Sequence, residues 1–205
     1  MNLRKIISLV IVVLLIMSSN ILAINEKQDT TKYFQKEARA LEKIGIIKGD
    51  KYGNLQLGEN FKRKDIAIII SRLYNEEDKA KKSSFKIDFV DIKKDDYFYG
   101  YVCWAVEKNL IKGVSDTEFG PDEDVTLKEV EVVLLRTLGY EEEVKNWNLI
   151  EPLSESLGLR DGLNINKKEN PSINRSELSK LIYNALFIEC KGSTLKLKDI
   201  LNVRI

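Results

Sequence analysis

Apolar residues recur at helical spacing in three pairs of stretches. Phe34, Ala38, Leu41 and Ile44 form the first stretch, and Ile66, Ile69, Ile70 and Leu73 its partner. Val102, Ala105, Val106 and Leu110 precede Val130, Val133, Leu134 and Leu138 in the same way. The third pair is Leu149, Ile150, Leu153 and Leu157, then Leu178, Leu181, Ile182, Ala185 and Leu186. This periodicity predicts six amphipathic helices. The second helix of each pair is the more apolar and is expected to be buried around much of its circumference. Pro152 is compatible with its helix only in the first turn.

The polar positions repeat too. Gly-Ile-Ile-Lys-Gly at 45–49 matches Asn-Leu-Ile-Lys-Gly at 109–113, an offset of 64 (109 − 45). Leu157 to Gly162 supplies a weaker third copy. Gly45, Asn109 and Gly158 stand where a left-handed residue ends a helix. The second helices then open at Phe61 to Asp65, Val125 to Glu129 and Ile173 to Glu177. Thr126 with Glu129 spells a capping box, and Asn174 with Glu177 its Asn-capped version. Lys62 gives the first copy no good cap. Three such units predict an all-α fold in which helix-loop-helix repeats span 33–78, 85–140 and 146–188. Lys79 to Ser84 is read as a charged linker, and Glu141 to Glu143 starts the second link. Residues 189–205 form a tail in which Leu195, Leu197, Ile200 and Leu201 pack as a closing segment.

The start of the chain differs in kind. Arg4 and Lys5 precede an apolar run from Ile6 to Met17, broken only by Ser8, and Ser18-Ser19-Asn20-Ile21-Leu22 then leads to the small residue Ala23. That order describes a signal peptide over residues 1–23, followed by a linker over 24–32; an uncleaved N-terminal anchor is the alternative. The run is short of the ~20 residues that a spanning helix needs. No Cys follows it, so a lipoprotein is not expected.

Charge and composition narrow the function. Of 205 residues, 33 are Lys or Arg and 32 Asp or Glu, a net charge of +1. Without residues 1–23, which hold two cations and no anions, 31 cations face 32 anions, a net of −1 (31 − 32). Nucleic acid, which selects basic surfaces, is not an expected partner. The chain has no His and two Cys. It therefore lacks the commonest general base and zinc ligand, and neither a cofactor nor a metal is implied. Cys103 and Cys190 either pair outside the cell or remain buried thiols. A carboxylate-dependent glycosidase would need an acidic pair not already used at caps or on the surface, and none is visible.

Residues 89–139 resemble an S-layer homology (SLH) repeat. The resemblance is carried by Phe89-x-Asp91-Ile92, Tyr101 to Lys108, Leu110 to Asp116, Phe119 to Glu123 and Leu135 to Gly139. The other two copies resemble the divergent flanking repeats of a three-repeat module. The resemblance implies a pseudo-threefold bundle with the second helices at its centre. It also implies a secreted protein held on a Gram-positive cell wall, within the S-layer, by grooves that bind secondary cell-wall polysaccharide, often pyruvylated. Peptidoglycan-associated polymer is thus the expected partner, with protein cargo as a further one, and no stable membrane span remains after signal cleavage. The family's Thr-Arg-Ala-Glu signature carries over to Arg63 and Arg175, with Leu127 as the departure in the second copy. Its acidic position falls at Asp65, Glu129 and Glu177, and its sugar-packing Trp at Tyr97; Tyr33 or Phe34 stands nearest in the first copy.

The chemistry agrees with that implication. A ketal-linked pyruvate presents a carboxylate, and guanidinium matches it bidentately. Leu127 offers no such match, so the groove at Leu127 is expected to be weak or dead. Plainer roles compete: Glu129 and Glu177 as caps, Trp104 as core, Lys48 and Lys112 as exposed lysines. A competing function is an SLH-like scaffold for protein–protein interaction with reduced polymer binding.

Overall fold

The computed structural model describes residues 34–164 and 170–205; the expected signal peptide, the linker after it and Tyr33 lie outside them. The described residues hold helices and no strands. The first repeat contributes α1 (Gln35–Lys43) and α2 (Arg63–Leu73). A short α3 (Glu77–Lys81) leads to α4 (Tyr99–Glu107) and α5 (Leu127–Thr137) of the second repeat. A 3-10 turn at Glu143–Lys145 precedes α6 (Ile150–Ser156) and α7 (Arg175–Leu186), and α8 (Leu197–Ile200) closes the chain. None of these helices is long and apolar enough to cross a membrane.

The expected caps are present. Thr126 and Asn174 each accept the amide of the Glu three residues on, and each Glu returns a bond to the cap amide. Lys62 has an extended backbone but no side-chain cap. Gly45, Asn109 and Gly158 adopt φ of +79°, +55° and +76° where the first helices end. Pro152 lies in the first turn of α6, which begins at Ile150.

The three segments that lead into α2, α5 and α7 are joined in a ring. Phe61 donates its amide to the Ile173 carbonyl at 3.2 Å, Ile173 to Val125 at 3.0 Å, and Val125 to Phe61 at 2.8 Å. A second set runs the opposite way round the ring: Arg63 donates to Glu123, Leu127 to Pro171 and Arg175 to Glu59, at 2.9–3.1 Å. Lone antiparallel bridges, Asn60 with Asn174, Lys62 with Asp124 and Thr126 with Ser172, complete it. Behind the ring, Ile66, Ile69 and Ile70 of α2 meet Val130, Val133 and Leu134 of α5 and Leu178 and Ile182 of α7 around a small apolar void. Burial of these side chains is the main force holding α2, α5 and α7 together.

The SLH-like residues explain the second repeat's loop. Asp91 accepts the amides of Phe119 at 2.9 and 3.1 Å and of Gly120 at 2.7 Å. A Cβ on Gly113 would stand 2.5 Å from the Phe89 ring and from two carbonyls, so only glycine fits. Trp104 is fully buried and donates to Glu76 at 2.8 Å, as a core residue does.

Three expectations need correction. Part of the stretch read as a linker is α3, whose Ala80 is buried and whose end packs on α4. A Cβ on Gly100 would lie 2.4 Å from the Lys81 carbonyl, so that packing requires glycine. Leu149 is exposed because α6 starts one residue later, and Ile150 takes the buried place. In the tail, Leu197 is buried but Leu195 and Ile200 are exposed. Cys103 and Cys190 are both buried free thiols.

Candidate functional site

The first residues of α2 and α7 reach the loops of neighbouring segments. Arg63 donates from Nε to the Phe119 carbonyl at 2.9 Å and from Nη2 to the Lys112 carbonyl at 2.8 Å. Arg175 donates from Nε to Leu55 at 2.8 Å and from Nη2 to Lys48 at 2.9 Å. Both acceptors differ by the repeat offset of 64 (119 − 55 and 112 − 48). The two arginines thus perform one backbone-reading task in two places. Each also lies over a ring, Arg63 over Phe119 at 5.2 Å and Arg175 over Phe61 at 5.6 Å.

Their surroundings differ. Arg63 is 8% exposed and forms an ion pair with Glu129. Glu129 also accepts from the Thr126 amide and hydroxyl, so one carboxylate serves the cap and the interface. Burial lowers the proton affinity of Arg175, with Asp65 opposing that effect. Asp65 accepts from the Tyr97 hydroxyl; burial raises its pKa, with Lys64 and Arg175 acting against the rise. The five expected site residues therefore fall in three places. Asp65, Tyr97 and Arg175 are neighbours, Arg63 sits at another groove, and Glu177 serves the cap of α7. Tyr97 is exposed and packs edge-on against Phe98.

The ring brings α2, α5 and α7 each against a loop of another segment, at three junctions termed grooves. The first lies between α2, the Ile111–Val114 loop and α5, and encloses about 420 Å³. Its cations are Arg63, Lys112, Arg136 and Lys145, and Trp147 forms part of its wall. Trp147 is 49% exposed, with the Lys128 ammonium 5.2 Å from its ring centre. Arg136 donates to the Leu110 carbonyl at 3.0 Å. Among the described residues neither Lys112 nor Arg136 forms an ion pair, although Glu141 acts on Arg136 through space.

In the second groove the matching cations are Arg175, Lys48 and Arg72. Here Glu77 accepts from Lys48 at 3.0 and 3.3 Å and from Arg72 Nε at 2.8 Å. Burial raises the pKa of Glu77, but the bonds from Arg72 and Lys48 outweigh it and hold the carboxyl below its ordinary value.

The third groove has lost all three cations: Leu127, Asp161 and Asn184 stand in their places. Leu127 is buried, and Asn184 donates to the Leu159 and Asp161 carbonyls. Between α5 and the third repeat's loop, Arg160 binds both oxygens of Glu131, which is fully buried, and reaches Glu151 at 3.1 Å. Arg160 and Glu131 replace the Ile111 and Ala67 of other repeats, so a buried ion pair fills the space.

Sequence reasoning named Arg63 and raised Lys112 as a groove residue, but left Arg136, Lys145 and Trp147 unassigned. The usable signal for Arg136 was the repeat itself, since Arg72 stands 64 positions before it. Trp147, in a polar link between repeats, was visible as an aromatic with no apolar periodicity to absorb it.

The S-layer homology domain family matches residues 88–130. The chain is 30% identical over 157 residues to the middle cell wall protein of Brevibacillus brevis strain 47, covering 76% of this chain and 15% of that protein. It is 30% identical over 161 residues to the surface layer protein of Brevibacillus choshinensis, covering 76% and 14%. With the surface-layer 125 kDa protein of Lysinibacillus sphaericus it shares 27% over 120 residues, covering 58% and 10%. The chain thus spans about a seventh of the length of the first two relatives.

Proposed function

We propose, from the premise that residues 88–130 belong to the S-layer homology domain family, that this chain is a non-catalytic module of the cell surface that binds an anionic secondary cell-wall polysaccharide. On this reading three repeats form a pseudo-threefold bundle, and the groove between the first and second takes the polymer. The observation that carries the reading is the first groove, which sets Lys112 and Arg136 beside an exposed Trp147 with no carboxylate among the described residues bonded to either cation. Cations that keep their charge unpaired at a groove wall attract an acidic group. A half-exposed indole offers a face on which a sugar ring can lie. The family match and the cell-wall and surface-layer names of the relatives support the location and the class of partner.

Purified cell walls that retain their secondary polymer test the proposal. Wild-type protein is expected to sediment with them. Lys112→Ala/Arg136→Ala and Trp147→Ala are each expected to lose at least ten-fold in affinity while keeping the helical circular dichroism. Walls stripped of the polymer should retain none of the variants. Undiminished binding by the double variant would refute the assignment.

Two filled grooves out of three favour a second reading, in which the module is an SLH-like scaffold for protein–protein interaction with reduced polymer binding. Wild-type protein that ignores polymer-bearing walls but co-elutes with a secreted surface protein would establish it.

A further inference from the structure

Lys48 and Arg72 in the second groove correspond to Lys112 and Arg136 in the first, each at the repeat offset of 64. In the second groove a carboxylate already lies between them. Glu77, at the start of α3, accepts from the Lys48 ammonium at 3.0 Å and from Arg72 Nε at 2.8 Å. The chain thereby displays what the pair holds when it is filled. We infer that Lys112 and Arg136 form the carboxylate subsite of the first groove, and that Glu77 is a built-in carboxylate that occupies the equivalent subsite of the second. The inference rests on the reading of the first groove as the ligand site and adds where the acidic group sits.

The first groove differs in the segment after its second helix. Glu141 stands where Glu77 does, yet it is exposed and forms no ion pair among the described residues. The reason is the chain's path. After Glu77 a five-residue helix, Glu77–Lys81, holds the carboxylate against Arg72, whereas after Glu141 the chain turns into the 3-10 segment Glu143–Lys145. Lys145 from that segment joins the groove wall, and its ammonium pairs outward with Glu142. The donors suit an anion with two accepting oxygens. One ammonium and one guanidinium converge on Glu77 with two oxygens accepting, which is the geometry of a planar two-oxygen anion.

The test uses acetate, which carries the carboxylate without a sugar. Arginine side-chain NMR signals are followed while sodium acetate replaces sodium chloride at constant ionic strength. In wild-type protein the Arg136 signal should move in a saturable way and that of Arg72 should not. In Glu77→Ala the Arg72 signal should move as well, in the same saturable way as that of Arg136. Lys48→Ala in the same background should abolish that response. Glu77→Gln keeps the side chain's size and serves if the alanine variant does not fold. An Arg72 signal as unresponsive in both variants as in wild type overturns the role of Glu77. An unresponsive Arg136 beside a responsive Arg72 overturns the subsite in the first groove. A positive result with no wall binding leaves the carboxylate subsites standing and refutes the polymer reading instead.

Discussion

Arg63 and Arg175 stand where the resemblance places ligand-binding arginines, yet their donors are spent inside the protein. Three of the Arg63 nitrogens are engaged, by Phe119, Lys112 and Glu129. What remains for a ligand is an edge of a guanidinium that is already neutralised. Arg63→Ala is therefore a poor test of binding alone. It would strand two carbonyls and leave Glu129 without its cation, a loss of roughly 3 kcal/mol by analogy with broken buried pairs. Urea denaturation should show that loss. Arg63→Lys should recover little of it, because one ammonium cannot reproduce a planar fork of donors. A variant as stable as wild type would mean that the interface between the first two repeats does not depend on this residue. Lys112 and Arg136 are the better binding probes, since the one is exposed and the other makes a single backbone bond.

Helices and caps were legible from periodicity and from Ser/Thr/Asn-type cap grammar, because both are local. Thr126 with Glu129 and Asn174 with Glu177 could be read four residues at a time. The element that escaped was α3. Its sequence, Glu77 to Lys81, is charged and carries one apolar residue, Ala80, so nothing in its pattern marks a buried face. It forms because Gly100 lets α4 approach its end. The site was legible in the same uneven way. The repeat identified equivalent positions, but whether a cation is free or bonded depends on Glu77 and Glu131, which lie outside the signature.

The α3 contact also fixes a pH dependence. Glu77 faces Lys48, Arg72 and, through space, Tyr101, and its carboxyl is held below the ordinary 4.5. A depressed acid binds its proton less tightly in the folded state. Its stabilisation is present above pH 4.5 and is lost as pH falls through the depressed value. Wild-type protein should therefore lose thermal stability between pH 4.5 and the depressed value more steeply than Glu77→Gln, and the two curves should converge in stronger acid. Parallel curves would show that the contact contributes nothing to stability.

At the scale of the whole molecule, the ring of amide-to-carbonyl bonds through Phe61, Val125 and Ile173 ties each repeat to both others. No repeat can leave without breaking bonds on two sides and opening the shared apolar centre. Unfolding is expected to be a single cooperative transition, with fluorescence of the buried Trp104 and the exposed Trp147 changing together. Two separated transitions would contradict the ring. The positions matched by the repeat offset are unequal in chemistry: among the described residues Lys112 and Arg136 form no ion pair, Lys48 and Arg72 are closed by Glu77, and the third place is filled by Arg160 and Glu131. The number of open grooves is measured by calorimetric titration with a saccharide bearing a ketal-linked pyruvate. One saccharide per chain is expected, lost in Lys112→Ala/Arg136→Ala; two or three per chain, or one that survives the double substitution, would refute a single open groove built on these two cations.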